Sequence, residues 1–101
     1  MSSEFIRRYR VTHYQMLQFR EQLSDTKGVT LHGTAEQGEI TLALPFGLGE
    51  IRLSYQHIMD GGAAQLEVTL IAAPAGFNRE TVWANIAKKI EAAQEHCPHG
   101  A

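Results

Sequence analysis

The sequence predicts an α+β domain in which an antiparallel meander of four or five strands packs against a long C-terminal helix. Two observations support this prediction. Residues 26–73 alternate between apolar and polar side chains at every second position, and a segment with helical periodicity lies on either side of them. A period of two places one apolar set on one face of each strand, so the sheet has an apolar face that must be covered.

Four strands account for the alternating region. Their apolar sets are Val29, Leu31, Gly33 and Ala35; Ile40, Leu42 and Leu44; Ile51, Leu53 and Tyr55; and Leu66, Val68, Leu70 and Ala72. Turns rich in Gly and Pro are expected at residues 36–38, 45–49, 60–64 and 74–76. Because these connections are short, the strands are expected to be antiparallel neighbours rather than parallel strands joined by crossovers.

Both helices have recognisable N-termini. Thr12 and Gln15 have the spacing of a capping box, and Asn78 is a favourable N-cap for the second helix. The first helix is expected to stop at residues 27–28 and the second at Pro98. The second helix carries an apolar stripe, which consists of Val82, Trp83, Ile86, Ala87, Ile90 and Ala93.

Residues 4–11 fit two structures. The first is an edge strand with outward-facing arginines, which discourage aggregation between strands. One face of this strand would carry Phe5, Arg7, Tyr9 and Val11, and the other Ile6, Arg8 and Arg10. The second is a single long helix from Ser3 to Ser24. The capping box at Thr12 favours the strand because it starts a helix there.

Composition and charge limit the function. The chain has 101 residues, of which 44% are hydrophobic, and this suits one domain over residues 1–101 with a frayed tail at residues 96–101. The net charge of −2, without a basic stripe, argues against a nucleic-acid partner. Cys97 is the single cysteine and no apolar run has the length of a membrane span, so a cytoplasmic location without membrane contact is expected.

The order strand, helix, four strands, helix resembles the helix-grip arrangement of START-like domains in a reduced form. It is also similar to that of small bacterial proteins associated with polyhydroxyalkanoate granules. The resemblance covers most of the chain as an order of elements. Helix-grip proteins often hold an apolar ligand between the sheet and the final helix, so the resemblance implies such a ligand here.

Five side chains are candidate ligand contacts: Arg7, Tyr9, Tyr55, His57 and Trp83. If the first strand turns Arg7 inward, a cation lies beside an apolar space and needs a partner or an anionic ligand. Tyr55 and His57, from another strand, would then help to orient a carboxylate. In the alternative, the arginines are solvated or paired with Glu50 or Glu67.

No catalytic site, cofactor or metal is expected. Ser54, His57 and Asp60 are close in sequence, but Ser54 lies on a plain strand without the turn that positions a nucleophile. The glycines of residues 47–49 lack the lysine and the following helix of phosphate-binding loops. The C-terminal cluster lacks the fourth ligand of a structural zinc site. Its members, weak metal candidates, are His96, Cys97 and His99.

Two functions remain. The first is a non-enzymatic binding module that holds a small apolar or amphipathic molecule between the sheet and the C-terminal helix, although side chains are expected to fill that space. The alternative is an assembly module that acts as a homodimer through a sheet edge or the second sheet face. Three apolar residues expected on that polar face motivate it: Ile58, Met59 and Ile71.

Overall fold

The computed structural model describes residues 5–60 and 63–96, and these form five strands and two helices. The elements are β1 (Ile6–Arg10), α1 (His13–Ser24), β2 (Val29–Gly33), β3 (Gln37–Ala43), β4 (Glu50–Asp60), β5 (Ala63–Ala72) and α2 (Arg79–His96). The predicted α+β class and the predicted order of elements are confirmed.

The strands form one antiparallel sheet in the order β1-β5-β4-β3-β2. The N-terminal strand β1 lies at one edge and pairs with the last strand, β5, so residues 6–10 are a strand and the long-helix alternative is wrong. The capping box explains the break. Thr12 Oγ1 accepts a hydrogen bond from the backbone N–H of Gln15 at 3.2 Å, and Gln15 Oε1 accepts one from the N–H of Thr12 at 3.0 Å.

Two turns differ from the prediction. Strand β2 ends at Gly33 instead of Ala35, because Thr34 Oγ1 accepts hydrogen bonds from the N–H groups of Glu36 and Gln37 and closes the turn early. Strands β4 and β5 also reach further than expected. Asp60 pairs with Ala63, so most of the expected linker at residues 60–64 belongs to strands, and Gly61 and Gly62 lie outside the described residues.

Both helices contribute to one core on the inner face of the sheet. The residues buried there are Val11, Met16, Phe19, Leu23, Ile40, Ile51, Leu53, Tyr55, Leu66, Val68, Leu70, Val82, Trp83, Ile86, Ile90 and Ala93. Leu53 and Val68 have no surface accessible to water, so no water-sized cavity touches them. At these two positions the expected filling of the space between sheet and helix is confirmed.

Neither helix of the described chain combines the length and the hydropathy that crossing a membrane requires.

Candidate functional site

Arg7 and Tyr9 lie on the face of β1 that is turned toward the core. This is the inward orientation of Arg7 on which the predicted ligand contact depends. Arg7 and Tyr9 pair with Val68 and Leu66 of β5, and directly opposed residues of antiparallel strands lie on the same face. The Arg7 guanidinium lies 5.4 Å from the centroid of the Trp83 ring, and its Nη2 is 3.5 Å from Glu80 Oε2. This cation is therefore held between an aromatic ring and a carboxylate of α2.

The ion pair expected for an arginine of this strand with Glu67 forms on the opposite face. Arg8 Nε donates to Glu67 Oε2 at 2.9 Å. Tyr9 is partly buried beside Arg7. Burial raises the pKa of the Tyr9 phenol above its usual range, and the Arg7 cation offsets part of that rise by favouring the phenolate.

Tyr55 and His57 direct their polar atoms at the backbone. The Tyr55 hydroxyl donates to the carbonyl oxygen of Thr34. His57 Nε2 lies 2.7 Å from the carbonyl oxygen of Val11, and because a carbonyl only accepts, this nitrogen carries the proton. Strand β5 separates both residues from Arg7. The structure thus brings Arg7 and Trp83 together, but it does not bring Tyr55 and His57 to them. A ligand contact of any of the five candidates, including Tyr9, stays a prediction.

The strand register places Ser54 and His57 on opposite faces of the sheet. Ser54 pairs with Glu39 and Thr69 on the outer face, whereas the buried His57 lies on the inner face. Within residues 5–60 and 63–96 no group of three or more His, Cys, Asp or Glu side chains is placed to hold a metal ion. The metal candidates Cys97 and His99, and the side chain of His96, lie outside the described part of the structure.

An apolar cleft that the sequence did not reveal lies where β5 ends and α2 begins. Its volume is about 250 Å³, and its main lining residues are Phe5, Leu70, Ile71, Pro74, Phe77 and Arg79. The Arg79 guanidinium lies 4.9 Å from the centroid of the Phe5 ring. Arg79 is the one charged residue among the lining residues, and the other lining side chains are apolar.

A β-bulge helps to shape this cleft. Leu53 pairs with Leu70 while the preceding Arg52 pairs with Ala72, which leaves Ile71 as an extra residue in β5. Ile71 is half exposed. The sequence signal for this bulge is the break in alternation at Ile71, an apolar residue at a position where the pattern predicts a polar one.

The outer face of the sheet carries a second, larger depression of about 490 Å³. Most of its lining side chains are polar, and they include Gln37, Glu39, Ser54, Gln56, Glu67 and Thr69. Arg52 pairs with Glu39 at 3.0 Å and Arg8 pairs with Glu67, so both lining carboxylates already have cationic partners. The side chains of this depression therefore differ in chemical type from those of the cleft at the end of β5.

The apolar residues expected to form a dimer surface on this outer face do not gather there. Ile58 and Met59 are consecutive in β4 and therefore lie on opposite sides of the sheet. Ile71 belongs to the cleft at the end of β5. Assembly through the outer face or through an edge strand stays a prediction.

No family model matches the chain, and no curated protein matches its sequence at a significant level.

Proposed function

We propose that the protein is a small non-enzymatic binding module that holds an amphipathic molecule in the cleft between the end of β5 and the start of α2. The observation that carries this proposal is that the cleft is lined by apolar side chains and by one cationic side chain, that of Arg79. The apolar part of the ligand lies against Ile71 and Phe77, and its anionic head faces Arg79. The order of elements supports the proposal, since helix-grip domains, which it resembles, hold ligands between sheet and final helix.

The size of the cleft limits the ligand to a small apolar group. An apolar cavity of about 150 Å³ is enough to bind benzene. The cleft, at about 250 Å³, accommodates a short acyl chain or a single ring. It is open on one side, so a polar head group remains in water and the ligand need not be apolar throughout.

Arg79 supplies the preference for an anion. It is the first residue of α2, and Asn78 caps that helix through its side-chain oxygen, which accepts from the N–H of Glu80 at 2.9 Å. A guanidinium donates charge-assisted hydrogen bonds to a carboxylate, and the positive end of the helix dipole adds to the same preference. A carboxylate is therefore expected to bind better than an alcohol of equal chain length.

Isothermal titration calorimetry with hexanoate, hexan-1-ol and acetate tests this function. Hexanoate is expected to bind more tightly than both, because only hexanoate has both the apolar chain and the charge. Replacement Arg79→Gln is expected to weaken hexanoate about tenfold, which corresponds to the loss of one charge-assisted hydrogen bond, and to leave hexan-1-ol unchanged.

The matched control is Arg10→Gln, which removes an exposed arginine at the other end of β1. Equal affinity of the parent protein for acetate and hexanoate would contradict the apolar site, and an Arg79→Gln protein with undiminished hexanoate affinity would contradict the anion contact. The cytoplasmic location and the lack of a nucleic-acid partner, both expected from the sequence, belong to the same proposal.

A further inference from the structure

The hairpin between β3 and β4 exposes an aromatic ring on an unfavourable backbone. Phe46 has φ 60° and ψ 27°, and Gly47 follows with φ 68°. A positive φ is disfavoured for a bulky residue such as phenylalanine, whereas Gly and Asn adopt it readily. Phe46 is also 95% exposed, the most exposed large apolar residue in the described part of the chain.

The hairpin that carries Phe46 lies beside the apolar cleft. A Cβ atom added to Gly49 would lie 3.3 Å from Cγ of Pro74, so the base of the hairpin contacts the cleft wall. Phe5, Leu48 and Ile71 add further exposed apolar surface at this end of the sheet. The molecule thus presents a protruding ring and an apolar recess side by side on one end.

From this juxtaposition we infer that two copies of the chain associate end to end, with Phe46 of each copy inserted in the cleft of the other. The cleft volume of about 250 Å³ is sufficient for one aromatic ring. A ring and a recess on the same surface are self-complementary about a twofold axis, which is the requirement for a closed dimer instead of an open chain. The association removes from water the apolar groups that the single copy exposes.

Charge complementarity favours the same arrangement. The hairpin that carries Phe46 continues into Glu50, whose side chain is exposed, and the cleft is bordered by Arg79. When the ring of one copy enters the cleft of the other, the carboxylate approaches the opposite cation at both contacts. Because the surface is confined to one end of the molecule, a dissociation constant in the micromolar to millimolar range is expected.

Sedimentation equilibrium of the full chain between about 10 µM and about 1 mM tests this inference. The parent protein is expected to change reversibly from monomer to dimer over that range. Replacement Phe46→Asn is expected to weaken the dimer at least tenfold. It is also expected to raise the melting temperature of the monomer by about 4–8 °C, because asparagine tolerates positive φ. A gain in stability together with a loss of association separates this result from simple misfolding.

A second variant identifies the recess. Replacement Ala72→Phe fills the cleft from its rim and is expected to abolish the dimer while Phe46 is intact. A mixture of the Phe46→Asn and Ala72→Phe proteins retains one of the two contacts, so it is expected to form a heterodimer that neither variant forms alone. Met59→Ser, at an exposed apolar residue far from the hairpin tip, is the matched control and should leave the dimer intact.

A strict monomer at about 1 mM overturns the inference, and so does a dimer that survives Phe46→Asn. A dimer lost in Phe46→Asn but retained in Ala72→Phe overturns the cleft as the receiving surface. The inferred dimer does not depend on the proposed function, and hexanoate distinguishes the two. A parent protein that stays a monomer and binds hexanoate overturns only the dimer. If the parent protein dimerises but the Phe46→Asn monomer, whose cleft is empty, does not bind hexanoate, only the ligand proposal is overturned.

Discussion

At the scale of single residues, the buried side chains of Tyr55 and His57 stabilise the fold by donating hydrogen bonds to backbone carbonyls. A buried polar group without a partner destabilises the folded state, so burial of Tyr55 and His57 requires acceptors close by. Thr34 and Val11 provide them, each from a segment just beyond the end of a regular element. These hydrogen bonds satisfy the polar atoms of both side chains within the fold, and the predicted ligand contact of Tyr55 and His57 stays a prediction.

Replacement His57→Leu is expected to lower the free energy of unfolding by about 1–3 kcal/mol, because the buried carbonyl of Val11 loses its donor. Urea denaturation measures the change. Gln56→Leu, at the neighbouring residue on the outer face of β4, is the control and should have a much smaller effect. An unchanged stability of His57→Leu combined with loss of hexanoate binding would show that His57 serves the ligand instead of the fold.

At the scale of elements, local sequence signals predict each helix and strand. The cleft, in contrast, is formed by residues that are distant from one another in sequence. The capping box at Thr12 and the N-cap at Asn78 depend on residues within three positions, so the sequence contains all the information they need. The early turn at Thr34 was missed because a threonine side chain, not a glycine, closes it.

The cleft could not be predicted in the same way. Its walls come from residues as far apart as Phe5 and Arg79, and its shape depends on the bulge at Ile71. The bulge follows from the pairing register between β4 and β5, which no local pattern specifies. The sequence predicts an apolar space with Arg7 beside it, between the sheet and the C-terminal helix, and a ligand contact there stays a prediction. The proposed cleft lies instead at the end of the sheet beside Arg79.

The capping box of α1 provides the test at this scale. Replacement Thr12→Ala is expected to lower the free energy of unfolding by about 1 kcal/mol, because the N–H of Gln15 loses its acceptor. Thermal unfolding followed by circular dichroism measures the effect. Ser24→Ala, at the exposed last residue of the same helix, is the control. A loss no larger than that of the control would show that α1 is positioned by core packing alone.

At the scale of the whole molecule, two helices cover one face of the sheet, and the most exposed large apolar residue, Phe46, lies at the same end as the cleft. Leu53 and Val68, at the centre of the core, have no surface accessible to water. Phe46 and the cleft, in contrast, are solvent-exposed where β3 and β5 end. The proposed binding function and the inferred dimer both use this end, where the cleft and the Phe46 ring lie close together.

The stability of the whole fold is expected to fall in alkaline solution. Burial raises the pKa of Tyr9 in the folded protein, so the unfolded chain releases the phenolic proton at lower pH than the folded one. Stability from the protonated phenol is complete below the unfolded pKa, near 10, and is lost as the pH rises through the higher folded pKa. Urea denaturation from about pH 8 to about pH 11 measures this slope.

Replacement Tyr9→Phe removes the titrating group and is expected to flatten the decline. Tyr14→Phe, at an exposed position of α1, is the matched control. An identical decline in the parent protein and in Tyr9→Phe would show that the stability loss has another origin.

The central claim is that the ligand site lies at the end of the sheet, between β5 and α2, and not between the sheet and the middle of that helix. Amide chemical-shift mapping by NMR during a hexanoate titration tests it most directly. The largest shifts are expected at Ile71, Phe77 and Arg79, and almost none when acetate replaces hexanoate. If the largest shifts occur at Leu53, Val68 and Ile86 instead, the ligand lies inside the core and the site at the end of the sheet is wrong.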